Sequence, residues 1–587
     1  MKDKKFSELK TDILIIGAGG AGLRAAIEAH DAGANVTIVS KSLLGKAHTV
    51  MAEGGIAASI ADVDANDNWK VHFSDTFVEG VYLGDWKMIE ILVKEAPDRV
   101  YELEQYGALF DRTPQGKIMQ RAFGGHTYKR LCHIGDRTGL EIIRVLEDQV
   151  LHREIQILDE TTITKLVVDN GRIIGAIGLE YMTGNFIAIS CKSVILASGG
   201  CGRIYKTTSN SLESTGDGLA LAYDVGCALI NMEMVQFHPT GMVYPESVKG
   251  LLVTEGVRGE GGILLNNKGE RFMKRYSPKR MELDARDVVA RAIYNEILKG
   301  NGTEHGGVYL DITHKGAAFI KKKLPAMYDQ FKDFADIDIT KQKMEVAPTV
   351  HYHMGGVKVD AETCATNIKG LYAAGEVTGG LHGANRLGGN SLADILVFGR
   401  RAGIWSAKYA LHLDAGNKEI LKAQLQNEIK RINSYLRSDE EPSQYNNSKF
   451  RIYELLDTLR QAMNEYVGII RNAKGLYNSI EVLENIKKEI KDIKVSGTTK
   501  YNRSLLARME LENQLIVAEC IIRSAIERKE SRGAHFRNDF PKKNKKWLKW
   551  IICKKKNGRL ALYPLQLKQI PKHLSFIQKE KYALVIK

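Results

Sequence analysis

The chain has 587 residues, 44% of them hydrophobic and 26% charged, which is typical of soluble globular proteins with several domains. No apolar run reaches the ~18 residues of a transmembrane helix, and residues 1–10 lack the apolar stretch of a secretory signal. Seven scattered cysteines without a CxxC pair argue against a metal site or a disulfide framework, so we expect no metal. The net charge of +14 comes without a nucleic-acid-binding motif, and we expect no nucleic-acid partner.

A glycine-rich motif lies near the N-terminus. Ile13–Ile16 is a short apolar run typical of a buried parallel strand, and residues 23–32 have a helical pattern. Between them, Gly17-x-Gly19-x-x-Gly22 permits a tight turn, close approach of a pyrophosphate and close helix packing. The alternative, a turn that is merely rich in glycine, fits this strand–turn–helix context less well. The motif predicts a dinucleotide with its phosphates at the helix N-terminus.

The second predicted strand, residues 35–40, ends differently from that of an NAD site. Ser40 and Lys41 follow where an acidic residue usually holds the ribose, which suits a cofactor held mainly by its phosphates. Beyond them, His48 lies in a run of small residues that ends in Gly54-Gly55. Taken alone, His48 would be an ordinary polar residue of a loop.

Regular elements continue along the next part of the chain. The patterns predict a helix over 86–107 ending at Gly107, and a helix over 140–151 with Thr138 as a candidate cap. Residues 155–190 alternate as short strands, with a hairpin turn at 169–171. Residues 193–200 then read as a buried strand that ends on paired glycines.

The composition of the sequence changes between about 243 and 350, where lysines are more frequent and the predicted helices and strands are short. Glycine-rich texture resumes at 351, and long Leu/Ile-periodic helices follow from about 412 to 530. Residues 541–556 carry eight lysines and no acidic residue, which fits docking on an acidic partner or on lipid headgroups. A solvated tail explains this charge equally well.

Many motifs stand in one order along the chain and together carry a resemblance. They are GAGGAG, HTV with EGG, RAFGG, GDRTG, QFHPTG, TEGVRGEGG, ARDVVAR, HYHMGG, GEV, HGANRLGGNSL and RKESRGAH. With them, residues 10–540 strongly resemble the flavoprotein subunit of succinate dehydrogenases and fumarate reductases, in a wider group that includes L-aspartate oxidase. The resemblance implies an FAD-dependent oxidoreductase of electron transport and the tricarboxylic acid cycle that interconverts succinate and fumarate.

The implied fold class is α/β, with a Rossmann-like FAD-binding domain interrupted by an α+β capping domain. A helical domain and a basic tail would follow. The predicted boundaries are 1–242 and 351–411 for the FAD-binding domain, 243–350 for the capping domain, 412–533 for the helical domain and 534–587 for the basic region.

The resemblance also implies the residues that bind FAD. His48 matches the histidine that bears the flavin covalently, and such a link raises the flavin's reduction potential; the alternative is a non-covalent loop histidine. The implied set is Gly17, Ala18, Gly19, Gly20, Ala21, Gly22, Ser40, Lys41, His48, Thr49, Gly54, Gly55, Asp217, Glu376, Ser391 and Leu392.

A dicarboxylate substrate needs cations and donors at both ends, and a guanidinium can hold a carboxylate through two hydrogen bonds. The resemblance implies that His238, Thr254, His351 and Arg386 are the dicarboxylate ligands. Phe123 would cover the substrate and exclude water. For each histidine taken alone, a structural hydrogen bond is the simpler interpretation.

Arg286 matches the family's proton-transferring residue. General acids ordinarily work best when they exchange protons near the working pH. A guanidinium is an unusual general acid, because it keeps its proton until the pH is much higher. Glu255 would orient Arg286, and a relay through Glu255 and Arg258 would resupply its proton. The alternative is that Arg286 forms a structural salt bridge with Asp284 or Asp287.

Two departures from the family pattern stand out. The loop motif has Ala122 where the familiar form has proline, so the loop gains freedom. Glu53 occupies a position where fumarate reductases often have glutamate and dehydrogenases glutamine, which favours the reductase.

The same resemblance implies partner subunits and leaves two alternative functions. It implies electron transfer to an iron–sulfur subunit bound to a membrane anchor, with this chain peripheral on the cytoplasmic side. The alternatives are an L-aspartate oxidase type of flavoenzyme and a catalytically silent flavoprotein scaffold. His48, Phe123 and Ser391 argue against the first, and the complete set of site residues argues against the second.

Overall fold

The structure is a computed structural model that describes residues 6–414, 416–437 and 448–576. In chain order, the strands are β1 (Phe6–Lys10), β2 (Ile13–Ile16), β3 (Val36–Val39), β4 (Ile56–Ala57), β5 (Gln120–Arg121), β6 (Leu131–Cys132), β7 (Gln156–Leu158), β8 (Thr161–Asp169), β9 (Arg172–Glu180), β10 (Phe186–Ser190), β11 (Ser193–Leu196), β12 (Leu229–Ile230), β13 (Val235–Met242), β14 (Ile263–Leu265), β15 (Val308–Asp311), β16 (Met344–His353), β17 (Gly356–Lys358), β18 (Leu371–Ala373), β19 (Thr378–Gly379), β20 (Lys549–Lys556) and β21 (Arg559–Gln566).

The helices alternate with these strands and dominate after residue 390. They are α1 (Gly20–Asp31), α2 (Trp69–Glu79), α3 (Trp86–Gln105), α4 (Thr138–His152), α5 (Asp217–Asp224), α6 (Glu255–Gly259), α7 (Met273–Tyr276), α8 (Arg286–Glu296), α9 (Ala317–Lys323), α10 (Pro325–Ala335), α11 (Asn390–Ala410), α12 (Lys418–Asn433), α13 (Ser448–Tyr466), α14 (Ala473–Glu489) and α15 (Arg503–Glu527). Within the described ranges, no helix is both long and apolar enough to cross a bilayer.

A five-stranded parallel sheet in the order β18-β11-β2-β3-β7 forms the centre of the molecule. Strands β2, β3 and β11 are buried along their whole length, which explains why they are mostly apolar. Helices α1 and α11 pack on this sheet. The predicted strand–turn–helix at 13–32 is confirmed, although the helix begins three residues earlier than predicted, at Gly20.

A second sheet, β1-β10-β9-β8, contains the predicted hairpin. Asn170 and Gly171 have φ of 47° and 75°, the left-handed values that a two-residue hairpin turn requires. The helix predicted at 140–151 is α4, but Thr138 is its first residue and not its cap. The Thr138 hydroxyl instead accepts a hydrogen bond from the amide of Ile134 at 3.2 Å.

The inserted segment has a hydrophobic core of its own. The antiparallel sheet β13-β16-β15-β14 and helices α6–α10 enclose a second cluster of buried side chains between Met242 and Val346. Strands β13 and β16 also extend into the first core, through Val235 and Val350. The two strands therefore join both cores, and each carries one of the predicted substrate histidines.

The basic C-terminal region is not the solvated tail that its composition allowed. Strands β20 and β21 form an antiparallel hairpin, and β20 pairs with β12. The Trp550 side chain is buried, and its indole N–H donates to the carbonyl of Leu83 at 2.8 Å. A short apolar run between the lysines of β20 anchors the hairpin, because Ile551 and Cys553 face the core. The end of the predicted basic region, 577–587, lies outside the described residues.

A buried ion-pair network holds the end of α15 to this hairpin. Arg528 donates to the Glu233 carboxylate at 2.5 Å and to Glu530 at 3.1 Å, and all three side chains are fully buried. Arg528 also donates to the carbonyls of Trp547 and Lys549.

We expect an Arg528→Met variant to lose about 3–5 kcal/mol of stability, because the buried Glu233 carboxylate loses its cation. Urea unfolding followed by circular dichroism measures the change. Arg144→Met is the control, since it breaks an exposed pair with Glu141 worth at most ~1 kcal/mol. Equal losses in the two variants would contradict the importance of the buried network.

Candidate active site

One deep cleft of ≈ 1550 Å³, a volume that includes its open mouth, runs between the central sheet and the inserted segment. Its lining extends from the glycine motif to Arg286 and Arg386, so an extended cofactor and a small substrate can lie one after the other along it. Every residue predicted for the cofactor or the substrate lines it except Gly22.

The glycine motif forms one end of this cleft. Gly17 has a φ of +115°, and a Cβ there would lie 2.3 Å from the carbonyl oxygen of Ala197. A Cβ on Gly22 would lie 1.9 Å from the Gly17 carbonyl oxygen, so Gly22 serves the packing of α1 on the turn rather than the cleft. Helix α1 begins at Gly20 with no side-chain cap and no acidic residue in its first turn. The Gly20 N–H already donates to the Thr49 hydroxyl at 3.3 Å, so the N–H groups that follow in this first turn are the ones that suit a pyrophosphate.

Lys41 belongs to a charged cluster at the same end. Its ammonium nitrogen lies 2.7 Å from Asp217 and 3.2 Å from Glu510, a residue of α15. Burial opposes the charge of Lys41, but the two carboxylates outweigh it and raise the pKa of the lysine. The ribose and adenine half of a dinucleotide would thus meet a lysine whose position is fixed by both the central and the helical parts of the chain.

His48 lies midway along the cleft, in a short 3-10 turn over His48–Met51. Burial, with the charges of Arg386 and Arg203, lowers its pKa to about 4, so the imidazole is neutral at pH 7. Its Nδ1 accepts a hydrogen bond from the backbone N–H of Ser211 at 3.3 Å. Since Nδ1 must carry a lone pair there, Nε2 is the nitrogen left for a bond to another group.

A second helix N-terminus faces the cleft. Helix α11 starts after Gly389, whose φ is 81°, and it has neither a side-chain cap nor an acidic residue in its first turn. Ser391 and Leu392 of this first turn line the cleft, as does Glu376. Burial raises the pKa of Glu376 to about 7, and the backbone N–H of His353 donates to its carboxylate at 2.9 Å.

The four predicted dicarboxylate ligands meet at the other end of the cleft. His238 lies on β13, His351 on β16, Thr254 just before α6 and Arg386 in the loop before α11. The rings of His238 and His351 are 5.1 Å apart between centroids. Burial and the charges of Arg286 and Arg258 hold the pKa of His238 well below its usual value. A small dianion would match both the positive charge and the hydrogen-bonding groups of this end.

Arg386 gives the clearest indication that this end of the cleft binds an anion. Its side chain is 2% exposed, and burial together with the charge of Arg286 lowers its pKa to about 9. It donates to the Ser391 hydroxyl at 2.9 Å, while its Nε has no partner among the described residues. A carboxylate ligand would satisfy this buried cation.

Arg286, the first residue of α8, is held by two side chains. Its Nε donates to the Glu255 carboxylate at 2.9 Å and its Nη1 to the side-chain amide oxygen of Gln236 at 3.2 Å. Glu255 also accepts from the backbone N–H of Gly124 at 2.9 Å and lies 3.7 Å from Arg258. Burial opposes the negative charge of Glu255, but Arg286 and Arg258 outweigh it and lower its pKa to about 2.

The alternative partners of Arg286 are engaged elsewhere. Asp287 pairs with Arg291 at 2.7 Å, and Asp284 lies 3.8 Å from Arg280. Hence the geometry gives no support to a structural salt bridge between Arg286 and its neighbours in sequence.

Phe123 covers the same end of the cleft. Its buried ring lies against two glycines, since a Cβ on Gly54 would be 2.7 Å from it and a Cβ on Gly388 would be 2.8 Å from it. These glycines allow the ring to approach the reacting end of the cleft. The arrangement can exclude water from a small substrate.

Three further residues contribute to the site without having been predicted. Gln236 precedes His238 by two positions on β13, and the strand alternation alone would have placed both side chains on one face. Ser211 acts through its backbone, for which no residue type gives a signal. Tyr352 lies under Arg386 and was hidden between two histidines of the same motif.

Comparisons with known proteins agree with this site. The FAD binding domain family matches residues 12–392, and the family described as fumarate reductase flavoprotein C-term matches residues 456–581. A Methanothermobacter marburgensis protein, named as one of the subunits of a fumarate reductase (CoM/CoB), is 50% identical over 94% of this chain and 98% of its own length. The Escherichia coli fumarate reductase flavoprotein subunit is 38% identical over 90% of this chain and 88% of its own.

A solved structure of Mycobacterium smegmatis Sdh1 in complex with UQ1 superposes with a TM-score of 0.88 and 46% identity, covering 99% of both chains. The FAD-binding cradle, the match of the C-terminal family and these identities over nearly the full length lead to one conclusion. The chain belongs to the family of flavoprotein subunits of succinate dehydrogenases and fumarate reductases.

Proposed function

We propose that this chain is a flavoprotein catalytic subunit that interconverts fumarate and succinate with FAD and exchanges electrons with an iron–sulfur partner. The observation that supports this most strongly is the joint geometry of one cleft. A dinucleotide cradle occupies one end, while two histidines, a threonine and two arginines converge at the other.

FAD fits the cradle through residues of this chain. The first turn of α1 would hold the pyrophosphate, Ser40 and Lys41 the adenosine half, and Ser391 and Leu392 of α11 the flavin. The positive end of the α11 dipole faces the cleft and favours negative charge on a bound flavin. When bound, FAD accepts a hydride from one methylene of succinate or delivers it to fumarate.

The substrate would be held at both carboxylates. Arg386 and His351 suit one of them, while His238 and Thr254 suit the other. Burial and the neighbouring cations keep both histidines neutral, so the Arg386 and Arg286 guanidinium groups supply the positive charge that attracts a dianion. Phe123 closes the site against water. Together these groups fix a four-carbon diacid with its central bond at the reacting position.

Arg286 would move the proton. In fumarate reduction the Arg286 guanidinium gives a proton to one alkene carbon while the hydride reaches the other. In succinate oxidation Arg286 first passes a proton to the relay of Glu255 and Arg258. As a neutral guanidine it then takes one from the second methylene while the hydride leaves the first. Glu255 and Gln236 fix the Nε and Nη1 atoms of the guanidinium. Arg258 lies 3.7 Å from Glu255. A proton could therefore return to Arg286 from Arg258 through Glu255.

The partner chains and the physiological direction of the reaction are proposed mainly from the relatives. Two of the relatives described above are named as subunits, which supports assembly of this chain with partner chains. We propose that these partners are an iron–sulfur protein and a membrane anchor, with this chain peripheral on the cytoplasmic side. The M. marburgensis relative is named a fumarate reductase for CoM and CoB, and Glu53 lines the cleft here. Both favour fumarate reduction as the working direction.

Purified protein tests this function directly. We expect a bound flavin, fumarate reduction with a reduced viologen dye, succinate oxidation with an artificial acceptor, and competitive inhibition by malonate. Oxidation of L-aspartate instead of succinate would indicate an aspartate oxidase. A flavin without turnover of either acid would indicate a scaffold.

The covalent link is a finer part of the proposal. We infer that His48 binds the flavin through Nε2, because the Ser211 amide already occupies Nδ1. A histidine alkylated at Nε2 keeps a lone pair on Nδ1, so the same hydrogen bond would persist after the link has formed.

A His48→Ser variant should keep FAD in the cleft but release it on acid precipitation, whereas the wild type should precipitate yellow. Each ~30 mV of lost reduction potential shifts a two-electron equilibrium about tenfold. Succinate oxidation should therefore fall by more than fumarate reduction does. His30→Ser, which changes an exposed histidine of α1, is the control. Flavin that stays with the precipitated variant would disprove the link.

A further inference from the structure

Tyr352 is the aromatic residue against which Arg386 lies. The guanidinium carbon of Arg386 is 4.4 Å from the centroid of the Tyr352 ring. Among the described residues, no carboxylate forms an ion pair with Arg386, while the face of this ring attracts its charge directly. The ring is 6% exposed and lines the cleft beside the arginine.

The hydroxyl of Tyr352 is anchored on the side away from the cleft. It lies 3.1 Å from Nε2 of His382 and 3.3 Å from the Asp394 carboxylate, and these two are 3.5 Å apart. Both partners are at most 3% exposed. A consistent set of hydrogen bonds has the imidazole N–H donate to the phenol oxygen and the phenol donate to Asp394.

Apolar packing fixes the ring in the same position. Tyr352 belongs to a small buried cluster with Leu83, Met354, Ala384 and Trp550. Trp550 belongs to the C-terminal hairpin, so the hairpin packs in the same cluster as Tyr352, which lines the cleft. The ring is thus held by apolar packing and by hydrogen bonds at its tip, while Arg386 lies over its face.

We propose that Tyr352, anchored by Asp394 and His382, is the positioning residue that holds the Arg386 guanidinium ready for a substrate carboxylate. The inference rests on the proposed function and adds a residue to it. A glutamate or aspartate in place of this ring would also hold the arginine, but it would neutralise the charge that the substrate needs. A π-face attracts the cation without occupying its N–H donors, so the donors stay available for a bidentate carboxylate.

Asp394 has a defined part in this arrangement. By accepting a hydrogen bond from the phenol, its carboxylate fixes the rotation of the ring and increases the electron density on its face. Asp394 would act only through the hydroxyl of Tyr352. Removing either group should then have the same effect, and removing both should be no worse than removing one.

The test compares malonate binding and fumarate reduction in the purified flavoprotein. We expect Tyr352→Leu to weaken malonate binding and raise KM for fumarate about tenfold, the loss of one buried cation–π contact. Its kcat should stay within about threefold, since Arg286 and the flavin are untouched. Tyr352→Phe keeps the π-face and should lose only about threefold in malonate affinity. Asp394→Asn and the double variant Tyr352→Phe/Asp394→Asn should match it.

Tyr205→Phe is the matched control. It removes another buried tyrosine hydroxyl, which donates to the carbonyl of Val467 at 3.3 Å away from Arg386, and should leave malonate affinity unchanged. The flavin content of each variant, read from its absorbance, reports whether the fold is intact. Unchanged malonate affinity in both Tyr352 variants would overturn the inference, and so would a double variant whose loss is the sum of the two single losses. A wild type that binds no malonate would overturn the proposed function itself.

Discussion

An Arg286→Lys variant is expected to keep its flavin and bind malonate, yet lose at least about 10³-fold in fumarate reduction and succinate oxidation, near the upper range of a lost general acid. Arg286 makes two directed hydrogen bonds, from Nε to Glu255 and from Nη1 to Gln236, and keeps Nη2 for the cleft. Nη2 lies close to the reacting end, since a Cβ on Gly388 would be 3.2 Å from it. A lysine has one nitrogen and cannot hold Glu255 and face the substrate together.

Steady-state kinetics with reduced viologen, beside malonate titration of the flavin absorbance, measure this effect. Arg291→Lys is the control on the same helix, because Arg291 pairs with Asp287 outside the cleft. We expect near-normal turnover from that variant. An active Arg286→Lys enzyme would show instead that Arg286 has a structural role and that another group moves the proton.

Much of the fold follows from local patterns in the sequence. The apolar runs at 13–16 and 193–196 are buried central strands, and Asn170-Gly171 forms a hairpin turn, because each signal depends on neighbouring residues alone. The hairpin β20–β21 could not be predicted in the same way. Its lysines dominate the composition, while the Trp550 contact that fixes it is with Leu83, far away in the chain.

In the candidate site, too, local sequence patterns were predictable and contacts between distant residues were not. Ordered motifs predicted the residues that line the cleft, but not the contacts between them. The partners of Arg286 come from β13 and α6, and an acidic neighbour in sequence, Asp287, turns out to serve Arg291 instead. Tyr352 belongs to one of these motifs, but its role could not be predicted, because that role depends on a ring face and on Asp394, 42 residues away.

The second large effect concerns Glu255. In a Glu255→Gln variant, the negative charge between Arg286 and Arg258 disappears while the size of the side chain is kept. The amide oxygen can still accept from the Gly124 N–H, but the amide nitrogen then faces Nε of Arg286, donor against donor. Arg286 loses its orientation and its route of proton resupply. We expect turnover to fall about 10²–10³-fold.

Substrate binding should respond in the opposite way to turnover. Removing a carboxylate from a cluster that holds Arg286, Arg258 and Arg386 leaves more positive charge near the dicarboxylate. Malonate affinity should therefore stay the same or increase while kcat falls. Glu260→Gln, at the end of the same short helix, is the control and should change neither quantity. Parallel losses of malonate affinity, flavin and kcat would point to a damaged fold and contradict a role in proton transfer.

The pH dependence gives an independent check on Glu255. Its pKa is lowered to about 2, so the carboxylate keeps its charge at every pH above that value and loses it only as the pH falls through it. An acid limb of the wild-type rate profile between pH 5 and pH 7 would come from another group. The Glu255→Gln variant should thus show the wild-type profile at a lower rate throughout. If the substitution removes an acid limb, Glu255 titrates in the working range and Arg286 is not held by a permanent negative charge.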